Sequence, residues 1–410
     1  VSRAPTGDSR VRRFILLTAL YFSQGLPYGF FTQALPAILR EQGTSLPDIG
    51  LANLLALPWA LKFLWAPYLE TPLVPALGRR RSWLLALQAA TATSLLAFGL
   101  APSLSVAALL VAVLWMNFLA ATQDVPADGF AVDALAPEER GIGNAIQVGG
   151  YRIGMIVGGG ALLMAHGTIG LSGIFLAMSA LVALASIPVL SAQEPPTHLA
   201  PATDPPGLRR FLRRPDARRI LALCLTYKLG ESFGNGMLRP FLTDHGYRLE
   251  DLGWVLGTVG FGAGLAGALV GGALVRPLGR RRSLVLFGLL QAAAVLGFAW
   301  LSWVGPNPAR VAAVAAAEHF ASGMATAALF TAMMDFTRRD ASATEYTVQA
   351  SAVVIAQGIG AALSGVSAQA LGYTGHFVAA AGLCLAAMGA VWLVLADLDG
   401  PTAAPGDAPS

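Results

Sequence analysis

Lysine occurs twice in these 410 residues and cysteine twice, and charged residues make up only 12% of the chain. A soluble domain carries about 25% charge, so an ordinary globular surface is excluded. Cys224 and Cys384 both fall in apolar stretches. Neither a disulfide framework nor a metal-ligand spacing can be drawn from them. Gly-x-x-x-x-Gly-Lys-Ser/Thr is absent, which leaves direct drive by ATP without a site. The pattern Gly-x-Ser-x-Gly is absent too, removing one route to a membrane hydrolase. No enzyme, cofactor or metal centre is expected.

Apolar length is abundant: 55% of residues are hydrophobic and the mean hydropathy is +0.61. Twelve stretches are long enough to cross a hydrocarbon core, which takes roughly 20 helical residues. They lie near 14–38, 48–69, 83–101, 104–134, 143–165, 170–191, 219–243, 252–275, 283–304, 309–337, 345–370 and 374–396. Unpaired backbone groups in lipid cost several kcal/mol each, and these runs are too long for barrel strands, so each is predicted to be a helix. The fold class is an all-α polytopic membrane protein of 12 transmembrane helices in two six-helix bundles. The domains expected are 1–191, a linker 192–218, 219–397 and a disordered tail 398–410.

The net charge of +4 is basic, but its distribution argues against nucleic acid. Twenty of the 27 Lys and Arg residues fall at the start or in alternate loops (79–81, 140, 209–219, 276–282, 338–339). Arg40, Arg248 and Arg310 fall in the opposite loops. By the positive-inside bias, both termini and the central linker are cytoplasmic, and the arginine loops meet lipid headgroups. The basic start runs straight into the first apolar stretch, which is expected to be retained as an anchor.

Gly78-Arg79-Arg80-Arg81-Ser82 returns as Gly279-Arg280-Arg281-Arg282-Ser283, 201 residues later. Gln42-Gly43 and Asp48-Ile49-Gly50 are answered by His245-Gly246 and Asp251-Leu252-Gly253; Gln147 is answered by Gln349 and Gly158 by Gly360. A near-constant offset means two copies of one membrane-embedded unit. Many secondary transporters are built so, with the solute site where the copies meet.

Ionisable residues inside the spans are the candidate site, since a charge at the bilayer centre costs about 2.5–3.5 kcal/mol and must face a cavity or a partner. Asp124 and Asp128 share one face of the fourth span. Lys228, Glu231, Asn235 and Arg239, spaced 3, 4 and 4, form a polar stripe on the seventh. Tyr21, Gln24, Tyr28 and Phe31 line the first; Asn144, Gln147 and Tyr151, with Arg152 adjacent, line the fifth; Glu318, His319 and Ser322 lie on the tenth. Several alternatives stand. Lys62 either contacts solute or pairs with Asp124 or Asp128. The two aspartates carry protons or hold Arg152. Lys228 and Glu231 neutralise one another or serve the site. Glu318 and His319 either belong to the polar site or are solvated near the outer end, and Arg239 snorkels or binds. Glycines at 154 and 158–160, and from 260 to 272, allow close helix packing or a sliding contact.

Six plus six spans, a central loop and the repeated Gly-Arg-Arg-Arg loop resemble the major facilitator superfamily. Its loop pattern is Gly-x-x-x-Asp-Arg-x-Gly-Arg-Arg. Glu70 stands for the acid in the first copy and Val275 occupies its place in the second. An acid–arginine latch of Glu70, Gly78, Arg79 and Arg80 is therefore expected directly only in the first half, without an equivalent at Gly279, Arg280 and Arg281.

Three strings narrow the resemblance: Gln24-Gly25-Leu26-Pro27-Tyr28-Gly29, Leu57-Pro58-Trp59-Ala60-Leu61-Lys62, and Gln123-Asp124-Val125-Pro126-Ala127-Asp128-Gly129. They look like the AmpG-type permease group, which joins muropeptide permeases, acetyl-CoA transporters and siderophore permeases of the RhtX/FptX type. The continuation Phe30-Phe31-Thr32-Gln33, with Gly149-Gly150-Tyr151-Arg152, is most similar to the siderophore branch. Pro126 departs from the group's pattern and is expected to bend the fourth helix beside Asp124.

The resemblance implies proton-driven import across the bacterial inner membrane; a monomer is expected. The residues themselves suggest an anionic small-molecule solute, met by Lys62, Arg152, Lys228 and Arg239. Gln24, Tyr28, Gln147, Tyr151 and Asn235 would add hydrogen bonds, and Asp124, Asp128 or Glu231 would carry the proton. A ferric siderophore is the leading solute; a muropeptide, an acetyl-CoA-like solute and an outward drug or metabolite antiport are the alternatives.

Overall fold

The computed structural model describes residues 10–35, 38–39, 52–101, 105–192, 194, 207–247 and 253–394. Arg40, the 42–50 copy of the loop repeat, Arg248, Asp251, most of the linker and the tail lie outside them. Every regular element among the described residues is helical. The longer helices are α1 (Arg10–Gly29), α2 (Leu57–Leu61), α3 (Arg79–Leu100), α4 (Val106–Ala134), α5 (Arg140–Met155), α6 (His166–Ala185), α7 (Ala217–Thr226), α8 (Leu229–Asn235), α9 (Leu238–Asp244), α10 (Gly260–Leu278), α11 (Arg280–Val304), α12 (Pro308–Asp335) and α13 (Ser342–Val394). Large apolar side chains point outward along them, among them Val11, Ile15, Leu184 and Trp303, as lipid-facing positions require.

The repeat is written into the backbone. Gly170 interrupts α6 at φ 64° and Gly372 interrupts α13 at φ 68°, 202 residues apart. Both take the left-handed region that glycine enters without a Cβ penalty. α13 is therefore two spans joined at Gly372. Gly78 and Gly279 repeat the same device, at φ 97° and 80°, ahead of α3 and α11. Two compact units result: Val1–Pro137, Ile146–Arg214 and Thr337–Ser351 form one, and Glu138–Ala145, Pro215–Phe336 and Ala352–Ser410 form the other. α5 and α13 each change unit along their length.

Two spans expected as single helices are broken. Around α2 the second becomes short pieces: Ala52–Ala56, Lys62–Leu64 and Ala66–Glu70 are tight 3-10 turns of five, three and five residues. Pro58 and Pro67 lack the N–H that a continuous ladder needs, which is the physical reason. The seventh span is divided into α7, α8 and α9 at Tyr227–Lys228 and Gly236–Met237. Both lysines of the chain thus sit at interruptions. By contrast, α4 runs unbroken through Pro126.

The first and fifth spans meet backbone to backbone. A Cβ on Gly25 would lie 2.1 Å from the Tyr151 carbonyl oxygen, and one on Gly154 would lie 2.3 Å from that of Phe22. Gly29 and Gly158 extend the seam against Met155 and Leu26. Small residues one turn apart on both helices permit this approach. The seam holds the polar face of α5 against that of α1.

Candidate functional site

Lys62 reaches the first unit's interior from the end of α2, where it is 2% exposed, and it pairs with Asp124 on α4. Asp128, one turn further on, lies 4.0 Å from the same ammonium. Tyr21 on α1 donates its hydroxyl hydrogen to Asp128 Oδ1 at 2.5 Å, and Gln147 on α5 donates to the Tyr21 oxygen at 2.6 Å. Four helical segments thus converge on one network. It holds one ammonium and two carboxylates, which leaves one negative charge in excess when all are ionised. Buried charge without a partner is costly.

An aromatic triad stands beside the network. Tyr28, Trp59 and Tyr151 are each half-buried. Their ring centroids are 5.4 Å (Tyr28–Trp59), 5.6 Å (Tyr28–Tyr151) and 6.2 Å (Trp59–Tyr151) apart. The Lys62 ammonium lies 5.6 Å from the Trp59 ring, within cation–π range. Trp59 Nε1 donates to Asn117 Oδ1 at 3.1 Å, which fixes the indole. Arg152 is half-buried next to Tyr151 on α5.

Gln24 is 1% exposed, and neither its amide oxygen nor its amide nitrogen has a partner among the described residues. The Asn117 amide nitrogen is likewise buried without one. Each such group costs about 1–3 kcal/mol when left unmet.

The second unit carries a different network. Lys228 pairs with Glu231, whose oxygens also accept from Gln291 and, at 2.6 Å, from Ser322. One cation and one fully bonded carboxylate make it neutral as it stands. One expectation is corrected here. Glu318 is not solvated: it is 1% exposed and is held by Asn235 at 2.8 Å and His319 at 2.9 Å. Arg239 is exposed on α9, beyond the break at Gly236–Met237 that separates it from Asn235.

The arginine loop of the second copy also differs from expectation. Glu70 contacts Arg80 at 2.6 Å and Arg79 at 3.5 Å, and Asp133 at the end of α4 meets Arg79 at 2.9 Å. Glu194 caps α3 by accepting the backbone N–H groups of Arg79, at 2.8 Å, and Arg81. Arg80 also donates to Ser342 Oγ at 2.8 Å, while Glu70 accepts the Thr344 N–H at 2.8 Å. In the second unit Val275 is buried, yet an acid is present: Asp335 meets Arg280 and Arg140, each at 2.5 Å. Asp335 stands 202 residues after Asp133. That offset, applied to acids as well as to glycine and arginine, would have found both. Helical spacing would also find Trp59 and Asn117, since Trp59 stands three residues before Lys62 and Asn117 seven before Asp124.

A helical, membrane-embedded chain with a duplicated architecture and buried ionic networks defines a multi-pass membrane transporter. The chain matches the Major Facilitator Superfamily over residues 17–345 and belongs to it, and that superfamily's architecture is twelve membrane helices in two halves. It is similar to the anhydromuropeptide permease of Escherichia coli K12, with 35% identity over 345 residues, 82% of this chain and 70% of that one. It is also similar to a putative transporter, AmpG 4, of Rickettsia conorii, at 25% identity over 86% of this chain and 89% of that one. The human organic anion transporter MFSD10 shares the fold, with a TM-score of 0.71 at 16% identity over 94% of this chain and all of that one. The resemblance to AmpG-type permeases is thus borne out. The siderophore branch, favoured by a few residues on the first and fifth spans, gains no support; the match over 345 residues outweighs those short strings.

Proposed function

We propose that the chain imports an anhydromuropeptide-type solute across the bacterial inner membrane by alternating access, coupled to protons. The observation that carries this reading is the buried network of Lys62, Asp124, Asp128, Tyr21 and Gln147, in which carboxylates outnumber the ammonium. The likeness to a permease for anhydromuropeptides supports the solute class. Lys62 and Arg152 take a carboxylate of the peptide, releasing Asp124 from Lys62. Asp128 carries the proton that balances the charge, within reach of Lys62 and under the Tyr21 hydroxyl. Glu231, already neutralised by Lys228, serves instead to brace the second unit with Asn235 and Glu318, and exposed Arg239 lies outside the solute site. The arginine loops are cytoplasmic, as are both termini. The bonds of Glu70, Arg79 and Arg80, and of Arg280, give way and re-form as the transporter cycles, with Gly78 and Gly279 as the turning points and Arg281 beside them.

The test is uptake of a labelled anhydromuropeptide into right-side-out membrane vesicles under an imposed inward proton gradient. Accumulation that collapses with a protonophore is expected. Asp128→Asn is expected to abolish gradient-driven accumulation while exchange of internal for external solute persists. Accumulation only in everted vesicles would overturn import, and uptake by Asp128→Asn at the wild-type level would overturn the proton assignment.

A further inference from the structure

We propose that the groove between α1 and α6 holds one acyl chain of an anionic phospholipid, whose phosphate is met by Arg10 and Arg12. The groove measures about 500 Å³, and its walls include Val11, Ile15, Thr18 and Phe22 of α1 and Leu181 and Leu184 of α6. The four residues of α1 are spaced 4, 3 and 4, so they form one stripe along the helix. Val11 and Ile15 are more than half exposed, as is Leu184 across the groove. Thr18 makes no polar demand on an occupant, because its hydroxyl donates to the Phe14 carbonyl oxygen at 2.9 Å. From Val11 to Phe22 the helix rises about 16 Å, close to half of a hydrocarbon core about 30 Å thick. The groove is thus as long as one leaflet is deep.

Shape and charge select the occupant. Spread over that length, the volume has a cross-section of only about 30 Å². A helix with its side chains is 10–12 Å across and presents about 80 Å² or more. An extended hydrocarbon chain fits; a helix of a second copy does not. The charge stands at one end. Arg10 and Arg12 open α1, are exposed, and flank the stripe about 100° to either side of Val11. Arg10 rests over the Phe14 ring at 5.1 Å, which brings its guanidinium to the rim of the groove. Arginine meets phosphate through paired N–H donors. Lipid tails are as apolar as the groove itself, so the tail confers little preference and the arginines choose the headgroup. The duplication does not copy this feature. A Cβ on Gly158 would meet the Leu26 carbonyl oxygen and one on Gly360 that of Leu229, which pairs the first and seventh spans at an offset of 203. At that offset Val11 and Ile15 become Arg214 and Arg218. The apolar stripe is therefore particular to α1 and is not imposed by the shared architecture.

The test is native mass spectrometry of the full chain, released from mild detergent with two synthetic lipids of identical chains, phosphatidylglycerol and phosphatidylcholine. An arginine at a membrane surface is worth about fivefold in attraction to anionic lipid. The wild type is therefore expected to retain one phosphatidylglycerol and to prefer it by at least about 10-fold. Arg10→Gln combined with Arg12→Gln is expected to cut that preference below about 3-fold. Thr18→Phe fills the groove from an exposed position, and Leu184→Trp fills it from the opposite wall. Each is expected to reduce retention of both lipids, with a lipid-free melting temperature equal to that of the wild type. Equal retention of the two lipids by the wild type, or an unchanged preference in the arginine variant, would overturn the headgroup assignment. Retention undiminished in both groove variants would overturn the groove. Competition by glycerophosphoglycerol, the same headgroup without chains, would show an anion site alone and overturn the proposal, as would a dimer that the groove variants dissociate. Lipid retention is read without solute, so it stands or falls apart from transport.

Discussion

Tyr21 holds Asp128 by a 2.5 Å hydrogen bond between the first and fourth spans, and its own oxygen is occupied by Gln147. The hydroxyl therefore orients an acid of the excess-charge network and ties α5 to it. Tyr21→Phe removes the bridge and leaves both neighbours unmet. Purified Tyr21→Phe is expected to lose about 1–3 kcal/mol of stability, read as a lower melting temperature, and to accumulate solute more slowly at a given gradient. A melting temperature equal to the wild type would mean that the bridge is not formed.

Lys62 answers two carboxylates, so its loss should exceed the loss of either acid. Breaking a buried pair by removing one partner costs about 3–5 kcal/mol. Lys62→Met is expected to fall in that range, Asp124→Asn below it, and the double variant above Lys62→Met in stability. A double-mutant cycle on melting temperature and folded yield measures the coupling. Additive effects would contradict the pairing.

The seam between the first and fifth spans makes a contrast within one helical stretch. Gly154→Ala puts a Cβ 2.3 Å from the Phe22 carbonyl oxygen, whereas a Cβ on Gly160 meets nothing within 4 Å. Overpacking of this kind costs about 1–3 kcal/mol or more. Gly160→Ala is expected to be neutral or to stabilise by up to about 1 kcal/mol. Thermal denaturation of the two variants side by side checks the prediction; equal melting temperatures would contradict the seam.

Asp335 serves two arginines at once. Asp335→Asn is expected to lower stability by about 1.5–3 kcal/mol, the range for hydrogen bonds to charged groups, and to slow transport, while Val275→Ala, at a buried position with no arginine contact to lose, acts only through packing. Comparing Asp335→Asn with Asp133→Asn in melting and uptake tests whether the two copies of the device carry similar weight.

Much of this protein was legible without coordinates, and the reason is periodicity. Apolar length required helices, the offset of 201 to 203 residues required duplication, and the arginine distribution gave an orientation. The face shared by Asp124 and Asp128 follows from 3.6 residues per turn. The same logic failed where the helix itself fails. Spacing sets Arg239 on one stripe with Asn235, but a helix break separates them, and apolar length makes the second span one rod although its prolines divide it. Glu318 was set near an outer end because distance along a span says nothing about which neighbour covers it.

By itself, then, the sequence determined the class of fold, its twofold repeat and the short list of charged residues that must find partners in lipid. Only the tertiary structure decided which partners they find. Lys62 meets Asp124 and Asp128, whereas Lys228 meets Glu231, whose oxygens also accept from Gln291 and Ser322, so that the first network holds two carboxylates to one ammonium and the second one to one. The amide of Gln24 stands unmet beside the same first-unit site. Pairing depends on distances of a few ångströms between helices remote in sequence, and those distances are set by how closely glycine seams and broken spans let the backbones approach.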